Sequence, residues 1–419
     1  MKFLNRSLIL LSTALSIGFC SCNDSGDKPN TNERGREYFE VIPLTAEQIE
    51  IVESQSDAAF ELFKAVNHVA KDENVFFSPL SFSIDLSMIA NGATDETLSQ
   101  IKDLLGVSDL SLDEVNKLNR LLLEELPIAD RQTSLSLANA IWVKKDVELK
   151  KEFKTTVQDY YDATIKSAEL STDKTRKEIN NWASKATNGL IPEFLETNLS
   201  PQVSSIILNA LYFNGRWDDV FNKNLTKESD FKTADGATIK VPMMKRSCRD
   251  FFYDNGETMM GMSLRYGNGS YYMTVIKPYD GVSVDDVIGT LARASYDSFK
   301  INSKTADITL TMPRYKINSE ISFRDILPNM GYDKIFGVDY PLMASSYSIL
   351  SEVKQKTSIN VDEEGAEAVA VTGGFIDGAV EPGEKEYPKV TLNLDSPFLF
   401  IIEETSTGSI LFIGKVNHP

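Results

Sequence analysis

Residues 361–372 read VDEEGAEAVAVT, and the fold turns on how that stretch is taken. Two periodicities compete in it. Asp362, Glu363 and Glu364 suit the first turn of a helix, and the alanines that follow are strong helix formers. Gly365 breaks such a helix early, and from Ala366 the text alternates. Ala366, Ala368, Ala370 and Thr372 fall on one face, Glu367, Val369 and Val371 on the other. A strand whose inner face carries only small residues can enter between two existing strands without overpacking the layer below. An ordinary edge strand or linker reads the same way by composition. After it come Gly373-Gly374, an irregular run to Pro388, and strand-like text to the C-terminus.

The segment EEGAEAVAVT closely resembles the proximal hinge of the serpins. Five further stretches resemble segments of that family in family order: NVFFSPLSFS (74–83), NALYFNGRW (209–217), VPMM (241–244), MPRYKI (312–317) and SPFLFIIEETSTGSILFIGKVNHP (396–419). The resemblance implies an α+β fold, with a large central mixed β-sheet, surrounding helices, smaller additional sheets and an exposed reactive loop at about 363–390. It places one serpin domain over 41–419. It also implies a suicide substrate of serine proteases rather than an enzyme, with no cofactor and no catalytic residue. The attacked loop forms an acyl-enzyme, then inserts as a new strand and carries the protease with it.

Family spacing from Glu363 puts the reactive bond at Ala379-Val380, where a small residue suits an elastase-like target. In other registers Phe375-Ile376 suits a chymotrypsin-like enzyme, Lys385 a trypsin-like one, and the text around Thr372 a papain-like one. The hinge spans Glu363, Glu364, Gly365, Ala366, Glu367, Ala368, Val369, Ala370, Val371 and Thr372. Ser78, Ser81 and Asn209 match a polar cluster beneath the opening of the central sheet. Gln355 stands there where many serpins have histidine, so that position cannot titrate. Trp217 matches the tryptophan at the top of the sheet, with plain core packing as the alternative, and Arg314 a basic partner for Glu363. Ala366 replaces a more usual threonine, and Pro328 is expected to end a helix in ISFRDILPNMG early.

The chain has 419 residues, 42% hydrophobic and 25% charged, which is globular composition. Its net charge of −18, with no basic stripe, argues against nucleic-acid binding. Two histidines, His68 and His418, leave little for zinc or Ser–His chemistry. Of three cysteines, Cys20 and Cys22 lie in the leader, so the body holds the single thiol Cys248; neighbouring cations could lower its pKa, but an inert structural or surface thiol is the reading preferred. No metal site is expected.

Lys2 and Arg6 precede an apolar run over 8–19, too short to span a bilayer and suited to export. The text GFCSCND resembles the lipid-attachment box of bacterial lipoproteins. It implies a signal peptide over 1–21, lipidation at Cys22, a polar tether over 22–40 and membrane attachment as an outer-membrane or cell-surface monomer. Periplasmic or secreted release is the alternative. A non-inhibitory serpin, merely cleaved or binding a ligand, is the other functional reading. A surface hydrolase or glycan binder would need paired carboxylates or an aromatic platform, and neither is spaced convincingly here.

Along the chain, apolar spacing predicts helices over 45–70, 79–90, 95–105, 111–125, 151–161 and 173–186. The first uses Ile49, Val52, Ala59, Phe60, Phe63 and Val66, and the fourth opens on a Ser111–Glu114 capping box. Strands are expected over 74–77, 135–143, 205–213, 238–243, 271–277, 308–317, 390–394, 398–402 and 410–416, with a hairpin turn at 405–408.

Overall fold

A computed structural model describes residues 41–336, 340–345, 350, 353–366 and 386–419. Helices dominate the first half. α1 (Ala46–Val69) starts on a closed capping box between Thr45 and Gln48 and buries Ile51, Val52, Phe60, Phe63 and Val66. Ile49 lies 40% exposed, so the apolar stripe is entered at Ile51 instead. The strand β1 (Val75–Phe77) leads into α2 (Pro79–Ala90), capped by the Ser78 side chain and buried along nearly its whole length. α3 (Asp95–Leu104) and α4 (Leu112–Glu125) follow. The Ser111 side chain accepts from Asp113 N, while Glu114 pairs with Lys117, so the expected box does not close.

Next come β2 (Thr133–Lys144), α5 (Lys151–Tyr161), β3 (Thr164–Ala168), α6 (Asp173–Ala186) and β4 (Ser205–Arg216). The rest is mostly strand: β5 (Lys227–Lys232), β6 (Thr238–Asp254), β7 (Met259–Tyr266) and β8 (Tyr271–Pro278). Two short helices, α7 (Val284–Thr290) and α8 (Arg293–Ile301), precede β9 (Lys304–Pro313) and β10 (Tyr315–Ser322). The chain continues through α9 (Ile326–Asn329), β11 (Lys354–Val361), β12 (Gly365–Ala366), β13 (Lys389–Asn393), β14 (Phe398–Glu404) and β15 (Ile410–Val416).

Among the described residues these strands make two mixed sheets. The central one has six strands in the order β10-β11-β12-β4-β2-β3. The other runs β1-β15-β14-β8-β7-β6-β9-β13, with β5 paired to β6. The hairpin of β14 and β15 is buried at every strand position, which suits its largely apolar text, and Glu403, Glu404 and Lys415 are buried with it. A smaller apolar cluster joins α6 to the central sheet, with Ile179 and Ala183 over Trp142 and Leu208.

The structure corrects the single strand expected over 308–317. Pro313 has no amide hydrogen to continue the ladder, and at Arg314 the chain passes from the larger sheet to the central one. The alternation slips by one residue there, from Ile308, Leu310 and Met312 to Tyr315 and Ile317, which marks the break in the text. The helix expected in ISFRDILPNMG is also corrected. Its first residues finish β10, and Pro328 lies in the opening turn of α9, where no amide partner is lost. Burial raises the Cys248 thiol, and the lesser pull of Arg246 does not reverse this. Cys248 is therefore not an activated thiol.

Candidate functional site

Among the described residues β12 pairs with β11 on one side and with β4 on the other. Gly365 opposes Arg216, and Ala366 opposes Gly215 on one side and Val361 on the other. The chain reverses from β11 into β12 through a turn closed by the Asp362 carboxylate, which accepts from Glu364 N (2.8 Å) and Gly365 N (3.3 Å). Gly365 has φ +152°, and a Cβ there would overlap the Gly215 carbonyl oxygen. Only glycine lets the hinge backbone come this close to β4. The helical alternative for 362–364 is thereby excluded.

Both hinge glutamates are buried, at 1% and 7% exposure for Glu363 and Glu364. Arg314 donates to both Glu363 carboxylate oxygens, at 2.6–2.9 Å. The Thr226 hydroxyl donates to the same carboxylate, and Lys223 pairs with Glu364. Burial alone would raise the Glu363 carboxyl. The Arg314 and Thr226 bonds outweigh it and hold the group below the usual carboxylate range. The main chain is fixed as well: Trp217 N donates to Glu364 O and Phe221 N to Glu363 O, both at 2.9 Å. Trp217 is 2% exposed, stacks on Tyr266 at 4.3 Å and donates its indole N–H to Asp362 O at 3.0 Å. It packs in the core and holds the turn, two roles that the sequence leaves as alternatives.

Further down the sheet, Gln355 exchanges two hydrogen bonds with the Ser78 backbone. Its Oε1 accepts from Ser78 N at 2.7 Å, and its Nε2 donates to Ser78 O at 3.0 Å. Ser78 Oγ accepts from Ser81 N at 3.1 Å, capping α2. Asn209 is held elsewhere. Its amide donates to Asn139 Oδ1 (2.7 Å), Asn139 donates to Tyr161 O (2.7 Å), and the Tyr161 hydroxyl donates to Asn116 Oδ1. Asn116 and Asn91 then exchange two bonds at 2.9 Å. Among the described residues no hydrogen bond joins Asn209 to Ser78 or Ser81, so the expected single cluster is two adjacent ones. Among the described residues Ser81 Oγ and Asn209 Oδ1 are buried without a partner. Unpaired acceptors of this kind cost about 1–3 kcal/mol each.

Asn139, Asn116, Lys223 and Thr226 were not foreseen. Asn139 carried a signal, since it occupies the inward phase of Leu135, Leu137, Ile141 and Val143. A polar residue at an apolar position asks for a buried partner. Glu367, Ala368, Val369, Ala370, Val371, Thr372, Ala379 and Val380 lie outside the described residues, as does Cys22. Among the described residues no group of His, Cys, Asp or Glu could hold a metal ion.

The comparisons agree with this geometry. A family model described as "Serpin (serine protease inhibitor)" matches residues 53–419. A serpin-like protein of Thermococcus kodakarensis is 27% identical, covering 99% of both chains. Serpin-ZX of Arabidopsis thaliana is 29% identical, over 88% of this chain and 98% of its own. The native-state crystal structure of tengpin, a thermophilic serpin, superposes with a TM-score of 0.79 at 30% identity, covering 90% of this chain and 95% of that one. Matched in sequence over nearly all of its length and in fold to solved members, the chain belongs to the serpin family.

Proposed function

We propose that this serpin is inhibitory, and that it traps serine proteases of elastase-like preference by inserting its cleaved loop between β4 and β11. Insertion of a loop into a sheet is the family's own instance of strand addition. One observation carries the reading here: the register of β12. Ala366 already faces Gly215 and Val361. Continued two residues at a time, that register sets Ala368 between Phe213 and Ile359, Ala370 between Leu211 and Thr357, and Thr372 between Asn209 and Gln355. The flanking residues Phe213, Ile359, Leu211 and Thr357 are all buried. Only small side chains fit such a row, and the hinge supplies alanines there.

The chemistry belongs to the protease. Its serine attacks the carbonyl of Ala379, the bond to Val380 breaks, and the loop remains as an acyl ester. About fourteen inserted residues at roughly 3.3 Å each carry that ester on the order of 45 Å. Each new ladder bond contributes about 1 kcal/mol net, with apolar burial in addition. Dragging the protease deforms its oxyanion hole, so hydrolysis of the ester stalls. The uncleaved form is a kinetic trap. The chain is exported as a monomer, anchored by lipid at Cys22 and tethered over 22–40.

The test is incubation with pancreatic elastase. An SDS-resistant complex, with a released peptide whose sequence begins at Val380, supports the reading. Complete turnover of the loop with no complex would make the chain a substrate and overturn it. Export is tested separately, since Cys22→Ser should abolish membrane fractionation.

A further inference from the structure

We propose that Cys248 is an oxidation site, and that its two-oxygen product, a sulfinate, is held by the free edge of the Arg246 guanidinium. Arg246 and Cys248 stand two apart on β6 and share the face that also carries Asp250. Arg246 is 8% exposed, yet its donors are only partly used. Its Nη1 donates to Asp219 O at 2.5 Å, and its guanidinium carbon lies 5.5 Å from the centre of the Phe221 ring. Its Nη2 reaches the Cys248 sulfur at 3.7 Å. Its Nε is buried and has no partner among the described residues.

Nε–H and Nη2–H leave a guanidinium from one edge, as the two parallel donors that a pair of acid oxygens accepts. In this chain that edge meets a thiol, which is a weak acceptor. A buried donor without an acceptor costs stability. Two oxygens on the Cys248 sulfur supply what the edge lacks. The 3.7 Å between sulfur and Nη2 sets an oxygen on that sulfur at hydrogen-bond distance from the same nitrogen. The nearby carboxylates already face other donors: Asp219 Oδ2 lies 3.8 Å from Nη1, and Asp250 lies 3.7 Å from Arg265.

The oxidant is a peroxide. The sulfur attacks one peroxide oxygen, the O–O bond breaks, and the departing hydroxide takes up the thiol proton as water, leaving a sulfenic acid. A second peroxide repeats the step, again with loss of water, and the sulfinic acid then ionises. Burial keeps the thiol largely protonated, so the first step is slow; the site favours the product, not the rate. A sulfenic acid is commonly drained by condensing with a second thiol, but the other two cysteines, Cys20 and Cys22, lie in the leader. Cys248 is only partly buried, so peroxide can reach it. The arginine pinned by the product is tied to the hinge: Phe221, beneath its guanidinium, donates its N–H to Glu363 O at 2.9 Å. Filling the free edge leaves the Nη1 bond to Asp219 in place, so oxidation tightens this segment.

The test is peroxide treatment of the full chain beside Cys248→Ser, which undergoes the same methionine oxidation. Mass spectrometry of wild type should find two oxygens added at Cys248, faster at about pH 9 than at about pH 7. The change in thermal midpoint on treatment should be about 2 °C more positive for wild type than for Cys248→Ser. Arg246→Lys keeps the charge but loses the two-donor edge, and the same oxidation should then give no rise. Should that variant fold poorly, Cys248→Asp and Cys248→Asn decide the matter with Arg246 intact. The aspartate sets two acid oxygens at the edge and should melt about 2 °C above the asparagine. Oxidation that bypasses Cys248 or stops at one oxygen would overturn the proposal. So would a midpoint that falls on treatment relative to Cys248→Ser, an equal rise in Arg246→Lys, or an aspartate no more stable than the asparagine. None of these readouts involves a protease, so they stand apart from the test of the inhibitory reading.

Discussion

Arg314 and Glu363 form a two-pronged ion pair in which the carboxylate is buried and the guanidinium side chain is 44% exposed. Arg314 sits where the chain leaves β9 for β10, and Glu363 sits where it leaves β11 for β12. The pair therefore ties the entry of the hinge to a point at which the two sheets share a strand connection. Glu363 can move only by breaking it.

Replacing Glu363 with Lys puts a cation beside Arg314 and leaves both without a carboxylate. Loss of one partner from a buried pair costs about 3–5 kcal/mol, reduced here to about 2–3 because Arg314 is partly in water. In a body of this size that lowers the thermal midpoint by about 3 °C at fixed scan rate. The loosened hinge also opens the sheet to a second molecule's loop. Size-exclusion chromatography after mild heating should show polymers for Glu363→Lys and monomer for wild type. An unchanged midpoint with no polymer would refute the role given to the pair.

The pair also sets a pH response. The Glu363 carboxyl is held below its ordinary value, so its contribution is complete above about pH 4.5 and is lost as pH falls through the folded value. Arg314 stays charged throughout, and Lys223, Asp362 and Glu364 are the other charged groups around it. The midpoint difference between wild type and Glu363→Gln should be constant from pH 8 to 5 and shrink toward pH 3. A difference that holds at pH 3 would assign the stabilisation to packing.

How much of this was legible can be read from single residues. Glu363, Gly365 and Arg314 stand in short motifs whose local chemistry is explicit, so the text pointed to them. Asn139 was legible only as a polar residue in the inward, apolar phase of β2. Lys223 and Thr226 reach the hinge from 137–141 residues away, on a short turn with no periodicity, and nothing local marks them. The change of sheet at Arg314 did leave a mark in the text: β9 buries even-numbered residues through Met312 and β10 odd-numbered ones from Tyr315, so the alternation slips at Pro313-Arg314. A one-residue slip turns the buried side of a strand over, and the proline beside it marks the place.

Gln355 offers a clean test of gating. It donates to and accepts from the Ser78 backbone, and it does so at any pH. Histidine at 355 could do the same only when neutral. Protonated, it has no acceptor for Ser78 N, and a buried unpaired amide costs about 1–3 kcal/mol. The folded pKa of such a histidine is depressed, so its contribution holds at pH 8 and is lost as pH falls below about 6.5. Thermal scans from pH 8 to 5.5 should be nearly flat for wild type and fall for Gln355→His. Parallel curves would remove Gln355 from the control of sheet opening.

The register of β12 makes the sharpest prediction about the loop itself. If insertion continues the pairing of Ala366, Thr372 arrives between Asn209 and Gln355, where Asn209 Oδ1 is buried and has no hydrogen-bond partner among the described residues. A threonine hydroxyl can donate to that acceptor; an arginine cannot be packed there, and burying its charge costs several kcal/mol. Thr372→Arg leaves the reactive bond seven residues away and should be cleaved at the wild-type rate. Its insertion would stall partway, the ester would hydrolyse, and the number of inhibitor molecules consumed per protease trapped should rise at least severalfold. The cleaved variant should also lack the gain in melting temperature expected of cleaved wild type. A full yield of SDS-resistant complex from Thr372→Arg would mean that the loop does not follow the register set by Gly365 and Ala366.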